Sequence, residues 1–113
     1  MNLQEIIEKR RSIRAFEKRD VPEDVIKQLL EAARLAPSAH NIQSWRYFIV
    51  NNFETRKKLH EAEAFNQEFV YDAPVILVCC ADLAGYPKPI KGWDNTPRDY
   101  GLIDLTIATQ TLS

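Results

Sequence analysis

The chain has 113 residues, 45% of them apolar, 27% charged and 10% aromatic, and its 15 basic and 16 acidic side chains leave a formal charge of -1. That length suits one domain with a thin core, and the apolar fraction excludes a disordered chain. The near-neutral balance gives no global attraction for nucleic acid or an anionic membrane. No apolar run approaches the ~20 residues that span a bilayer, and the opening MNLQEIIEKR lacks the apolar centre of a signal peptide. The two cysteines, adjacent as Cys79 and Cys80, supply neither a disulfide framework nor metal-ligand spacing. The expectation is a soluble, cytoplasmic, single domain over residues 1–113.

Asn2 followed by Glu5 has the pattern of a capping box, and Leu3, Ile6 and Ile7 share one face of the helix it would start. Residues 12–16 read as a short extended piece, with Ser12 and Arg14 on one side and Ile13 and Ala15 on the other. A second helix opens at Pro22 and Glu23, carries the stripe Val25, Ile26, Leu29, Leu30 and Ala33, and is stopped at Ala36 by Pro37. Residues 38–44 read as a polar loop, 46–50 as a strand, 55–64 as a helix and 66–71 as a helical turn. The run 75–81 is continuously apolar and rich in β-formers, the pattern of a central strand covered on both faces. Gly85, Pro87, Pro89, Gly92 and Pro97 then punctuate a long irregular loop. Residues 100–113 form a helix with a wide apolar face and no C-terminal stop signal. That face exceeds what this chain can cover, so the pattern predicts the front part of a larger domain, or a helix covered by a partner subunit.

Two clusters and one short motif carry candidate chemistry. Arg10, Arg11, Ser12 and Arg14 put three guanidiniums and a hydroxyl within five residues. They make either an anion-binding kit, since the guanidinium fork matches phosphate oxygens, or a solvated basic turn at a helix C-terminus. Arg14, flanked by Ile13 and by Ala15-Phe16, is expected to be partly buried and paired. The loop APSAHNIQSW at residues 36–45 offers neutral donors and acceptors suited to a planar heterocycle or a sugar hydroxyl. Its alternative is an ordinary turn in which Pro37 stops a helix and Ser38 and Asn41 cap local backbone. Asn66-Gln67, ahead of Asp72-Ala73-Pro74, says little by itself. His60 is expected on the surface of a charged helix, and nothing supplies His40 with the partners of a general base. Cys79 and Cys80 read as small buried strand residues without a redox or metal role.

Together, RRSIRAF, APSAHNIQSWRY and FNQEFVYDAPVILVCC resemble, in order and in spacing, the nitroreductase family of FMN-dependent NAD(P)H oxidoreductases. The resemblance covers nearly the whole chain, and DLTIATQTL looks like the start of that family's long central helix, with the C-terminal part of the domain absent. It implies an α+β, nitroreductase-like sandwich: a mixed or antiparallel central sheet flanked by helices, in a homodimer with its flavin site at the subunit interface. Arg10 and Ser12 match positions that bind the FMN phosphate, Arg14 the basic residue near the pyrimidine edge, and Arg11 a position that also touches the cofactor. Ser38, Ala39 and Asn41 match a loop that reaches into the flavin site of the other subunit, and Asn66 an amide that hydrogen-bonds the flavin. Ala39 stands where serine is frequent and Ser44 where proline is common. Tyr86 and Trp93 fall in what resembles the variable lid over the substrate face, where an aromatic either stacks on substrate or packs the loop down. The implied activity is hydride transfer from NAD(P)H through flavin N5 to a small aromatic acceptor, nitroaromatic or quinone-like, with no catalytic side chain and no metal, since the cofactor carries the chemistry. The alternatives are a flavin-fold remnant without catalysis and an arginine-based anion or nucleic-acid binding module, which the balanced charge disfavours.

Overall fold

The structure, a computed structural model, describes residues 2–86 and 96–112. Asn2 caps α1 (Leu3–Lys9), its side-chain oxygen accepting from the Glu5 amide while the Glu5 carboxylate accepts from the Asn2 amide. This is the reciprocal pairing expected from the sequence. Yet α1 buries none of its residues, and Leu3 is 72% exposed and Ile7 60%. The segment after it, residues 10–22, is neither helix nor strand. This loosely held arm contributes to a radius of gyration of 16.5 Å, against about 13 Å for a compact domain of this length.

α2 (Glu23–Arg34) places Glu23 and Asp24 in its first turn and Arg34 in its last, matching the polarity of the helix dipole. It ends two residues before the expected Ala36, with Leu35 as cap. Of the expected stripe, Ile26 and Ala33 are buried and Leu30 half-buried, whereas Val25 and Leu29 stay exposed. β1 (Trp45–Val50) and β2 (Ile76–Ala81) pair antiparallel, with Trp45 opposite Ala81, Tyr47 opposite Cys79 and Val50 opposite Ile76. α3 (Phe53–Glu61) starts at Asn52, whose side chain accepts from the Thr55 amide at 2.8 Å. A 3-10 turn at Glu68–Asp72 follows, and α4 (Pro97–Thr111) opens on a capping box between Thr96 and Asp99.

Period-two alternation gives the sheet two covered faces. On one, Trp45 packs with Ala33 and Ala36 from the α2 end and Ala108 of α4, flanked by Tyr47, Leu105 and Leu112. On the other, Val50 and Ile76 pack with Ala73, Leu59, Phe65 and Val70. The architecture is therefore an α+β layering with helices on both sides of an antiparallel pair. The expectation of a fully covered β2 needs correcting: only Ile76 is buried, and the rest of the strand is half-buried. With α2 and α4 on one face and α3 and the 3-10 turn on the other, the two strands still leave side chains open, and Phe48 and Ile49 of β1 are exposed as well. Among the described residues each strand also has an unpaired edge.

Small residues decide how close α4 comes to its neighbours. Ala33 and Ala108 are completely buried against each other's helices, and a Cβ on Gly101 would sit 3.4 Å from the Ala81 Cβ and 2.4 Å from Leu83 Cδ2. α3 ends in a Schellman pattern, with the Ala64 amide bonded to the Leu59 carbonyl and the Glu63 amide to the His60 carbonyl. Glu63 therefore sits at φ 52°, a left-handed conformation that suits glycine. Two outcomes are expected in urea unfolding. Ala108→Leu overfills the α2–α4 contact and destabilises by about 1–3 kcal/mol. Glu63→Gly stabilises by about 0.5–1 kcal/mol, the relief of left-handed strain exceeding glycine's entropy.

Candidate functional site

The sequence-predicted site residues lie on three segments. Arg10 is the C-cap of α1, its amide bonded to the Ile6 carbonyl, and Arg11, Ser12 and Arg14 follow on the exposed arm. Arg11 Nη1 donates to the carbonyls of Glu8 (2.6 Å) and Arg10 (2.8 Å). Arg14 Nη1 reaches the Ser12 carbonyl at 3.5 Å, and its guanidinium carbon lies 6.0 Å from the centroid of the Phe69 ring. Phe16 stands 6.2 Å from the same ring. The expectation that Arg14 is partly buried is corrected: it is exposed, and among the described residues none of these arginines forms a salt bridge. Its apolar neighbours do not draw it inward, because Ile13 is itself 65% exposed. The aromatic Phe69 provides a cation–π surface instead.

That contact brings Arg14 beside the segment that carries Asn66. Asn66 is exposed, and the residue before it is pinned by Tyr71, whose hydroxyl accepts from the Phe65 amide (2.7 Å) and donates to the Phe65 carbonyl (2.9 Å). His60 stacks on Tyr71 with ring centroids 4.3 Å apart and pairs with Glu68 at 2.9 Å. It lies on the surface as expected and serves this local clasp.

The third segment is the loop of residues 38–44, built around a 3-10 turn at Ala39–Asn41. His40, Asn41 and Gln43 all have φ near 53°, an unusual run for residues other than glycine. Ser38 acts as the local cap read from the sequence, its Oγ accepting from the Gln43 amide at 3.0 Å. Ser38 and Ala39 are half-buried, whereas His40 and Asn41 are exposed.

Beneath this loop lies a polar cluster that the sequence did not single out as a unit. Asp104, only 3% exposed, accepts the Ala39 amide on both carboxylate oxygens, at 3.2 and 3.1 Å. Tyr86 donates its hydroxyl proton to Asp104 Oδ2 at 2.5 Å and thereby accepts from Ser44 Oγ, also at 2.5 Å. Ser44 is 2% exposed. Of the two readings for Tyr86, packing its loop down is the one the structure shows: it is buried and stacked against Tyr100 at 5.9 Å. A phenol that finds a carboxylate and a hydroxyl in the interior is held there by hydrogen bonding as well as apolar contact. Trp93, the other aromatic assigned to the lid, lies outside the described residues. The available signal was the pair Ser38 and Ser44 bracketing a five-residue loop, together with an aspartate set into an apolar helix. Neither says which groups meet.

Residues 7–65, just over half of the chain, match the model described as the Nitroreductase family, and the chain belongs to that family. It is 52% identical over 75 residues to a protein of Thermus thermophilus named NADH dehydrogenase, covering 66% of this chain and 36% of that protein. A protein of Archaeoglobus fulgidus named putative NADH dehydrogenase/NAD(P)H nitroreductase is 41% identical over 103 residues, covering 91% of this chain and 54% of that one. The fold matches a solved FMN-dependent nitroreductase from Clostridium difficile R20291 with a TM-score of 0.73 and 27% identity, over 92% of this chain and 54% of that chain. The chain thus spans between about a third and about a half of the length of these relatives.

Burial and the Asp104 hydrogen bond push the Tyr86 phenol above its ordinary value of 10.0, outweighing the Ser44 contact, and burial also raises Tyr47. A raised folded value for an acid that is neutral when protonated stabilises the fold fully below the unfolded value. That stability is lost as pH climbs through the folded one. Stability should therefore fall as pH rises above about 10, and Tyr86→Phe should flatten that fall while lowering stability at neutral pH. Thermal unfolding of both proteins between pH 7 and 11 checks this.

Proposed function

We propose that this chain contributes to an FMN-dependent NAD(P)H oxidoreductase that works as a cytoplasmic homodimer on small aromatic acceptors. Membership in the nitroreductase family supports the reading, as does the FMN dependence of the solved relative from Clostridium difficile. The single observation that carries it is the state of the donors. Arg10, Arg11 and Arg14 are exposed and, among the described residues, engage no carboxylate, and the Ser12 hydroxyl stands exposed among them. Such a donor set suits the doubly charged phosphate of FMN, because arginine forks match phosphate oxygens and are only weakly hydrated.

In this reading Arg10 and Ser12 hold the phosphate, with Arg11 beside them. Arg14 places positive charge near the pyrimidine edge of the flavin, and Asn66 offers its amide to the ring. Ser38, Ala39 and Asn41 serve the flavin site of the partner subunit. The flavin supplies the redox chemistry, carrying hydride equivalents from NAD(P)H to a nitroaromatic or quinone-like acceptor. The protein's part is orientation and electrostatics, and no side chain acts as acid or base in this reading.

Apolar surface supports the dimer. Leu102, Ile103 and Ile107 on α4 and Leu3, Ile6 and Ile7 on α1 are exposed, and a helix apolar on more than one face is normally buried in a larger assembly. No helix among the described residues is long and apolar enough to cross a membrane.

Flavin retention through gel filtration tests the reading. The wild-type protein should elute yellow and bleach anaerobically on addition of NADH or NADPH. Arg10→Ala and Arg14→Glu should lose most of the flavin, and Cys79→Ser should keep it. A colourless dimer that binds no added FMN would point instead to a fold remnant without catalysis. Equal retention in all three variants would remove the phosphate-site assignment.

A further inference from the structure

The Asp104 cluster has a role in none of the roles assigned so far, and its connections are specific. Its carboxylate takes the Ala39 amide at the start of the loop of residues 38–44. Through the Tyr86 hydroxyl it also holds Ser44 at the end of that loop. The Ser44 carbonyl in turn accepts from the Asp82 amide at 2.8 Å, fixing the loop exit to the end of β2. One buried side chain on α4 therefore grips both ends of a seven-residue loop.

What lies between those ends needs gripping. His40, Asn41 and Gln43 occupy the left-handed region, a conformation that residues with a Cβ adopt only when their surroundings over-determine it. Within the loop itself the described restraints are the Ser38 Oγ bond to the Gln43 amide and the turn bonds from Asn41 to Ser38 and from Ile42 to Ala39. A carboxylate accepting from both a main-chain amide and a phenol is a stiffer anchor than any of these, because hydrogen bonds to a charged acceptor are the stronger class.

We propose that Asp104 is a positioning residue: acting through Tyr86 and the Ala39 amide, its buried carboxylate locks the loop of residues 38–44, with His40, Asn41 and Gln43 left-handed, in the shape that presents Ser38, Ala39 and Asn41 to the flavin. The proposal rests on the flavin-binding reading above and adds the device that pre-forms that part of the site. Asp104 does not touch the cofactor in this scheme. It removes the ordering cost that a loose loop would impose on binding.

The test uses the full-length protein and two readouts. One is amide hydrogen exchange across the loop, and the other is FMN affinity by fluorescence titration. Asp104→Asn and Tyr86→Phe should each speed exchange at residues 39–44 while leaving β1 and β2 protected, and should weaken FMN binding by about tenfold or more. Ile76→Ala, which opens the opposite core, serves as a matched loss of stability. It should lower the thermal midpoint without either effect. Tyr86→Phe keeps the carboxylate and its Ala39 bonds, so it reports even if Asp104→Asn does not fold. Unchanged loop exchange in Tyr86→Phe overturns the lock. So does unchanged FMN affinity in that variant while Arg10→Ala loses the cofactor, and so does an equal loss in Ile76→Ala. If the wild type binds no FMN, or Arg10→Ala binds it as well as the wild type, the flavin reading itself fails. A faster-exchanging loop in that case would leave Asp104 a structural anchor only.

Discussion

A carboxylate taken out of water must be saturated with donors or the fold loses several kcal/mol. Asp104 meets that demand with the Ala39 amide and the Tyr86 hydroxyl, and Tyr86 passes the connection on to Ser44. Ala39 and Ser44 come from the loop after α2, Tyr86 from the segment after β2 and Asp104 from α4. Their convergence fixes α4 relative to the loop and to Ser44, the residue before β1. The surrounding contacts are permissive: Gly101, Ala33, Ala36 and Ala108 are small enough to let the helix come close. Apolar packing brings these elements together without direction, and the polar cluster selects the arrangement.

The N-terminal part obeys the opposite logic. α1 has seven residues, too few for an isolated helix to be stable in water without tertiary support, and it buries nothing. Its capping box and the Glu8 and Arg10 carbonyls that hold the Arg11 side chain are local restraints. The arm touches the body through aromatic contacts, with Phe16 and Arg14 against Phe69. The same shortage of burial that leaves Leu3, Ile6, Ile7 and Ile13 in solvent leaves three guanidiniums open.

The two faces of the sheet pack against different elements. Trp45 and Tyr47 look toward α2 and α4, and the Tyr47 hydroxyl reaches Thr109 at 3.2 Å. Val50, Ile76 and Val78 look toward α3 and the turn at Glu68–Asp72, where His60, Glu68 and Tyr71 clasp the residues flanking Asn66. The segments matched to flavin binding are thus supported from different sides of one thin sheet: residues 38–44 by α4, and Asn66 by the clasp.

Local chemistry made much of this legible in the sequence. Asn2 with Glu5, Pro22 with Glu23, and the apolar runs of β1 and β2 act within a few residues of themselves, so the elements they start stand within a residue or two of where they were expected. α4 starts three residues before the expected Tyr100: Thr96 and Asp99 with Pro97 between them are a helix-opening signature inside the stretch read as loop. The family motifs identified the candidate cofactor residues because the spacing of arginines, small residues and amides survives in a linear string. Only the tertiary structure decided which of these groups are buried and which meet. Arg14 in its apolar setting is exposed, because burial depends on elements far away in the chain, and Tyr86 in a glycine- and proline-rich stretch is interior for the same reason. The link from Asp104 to Ala39 crosses 65 positions, and no periodicity encodes a hydrogen bond between residues so far apart.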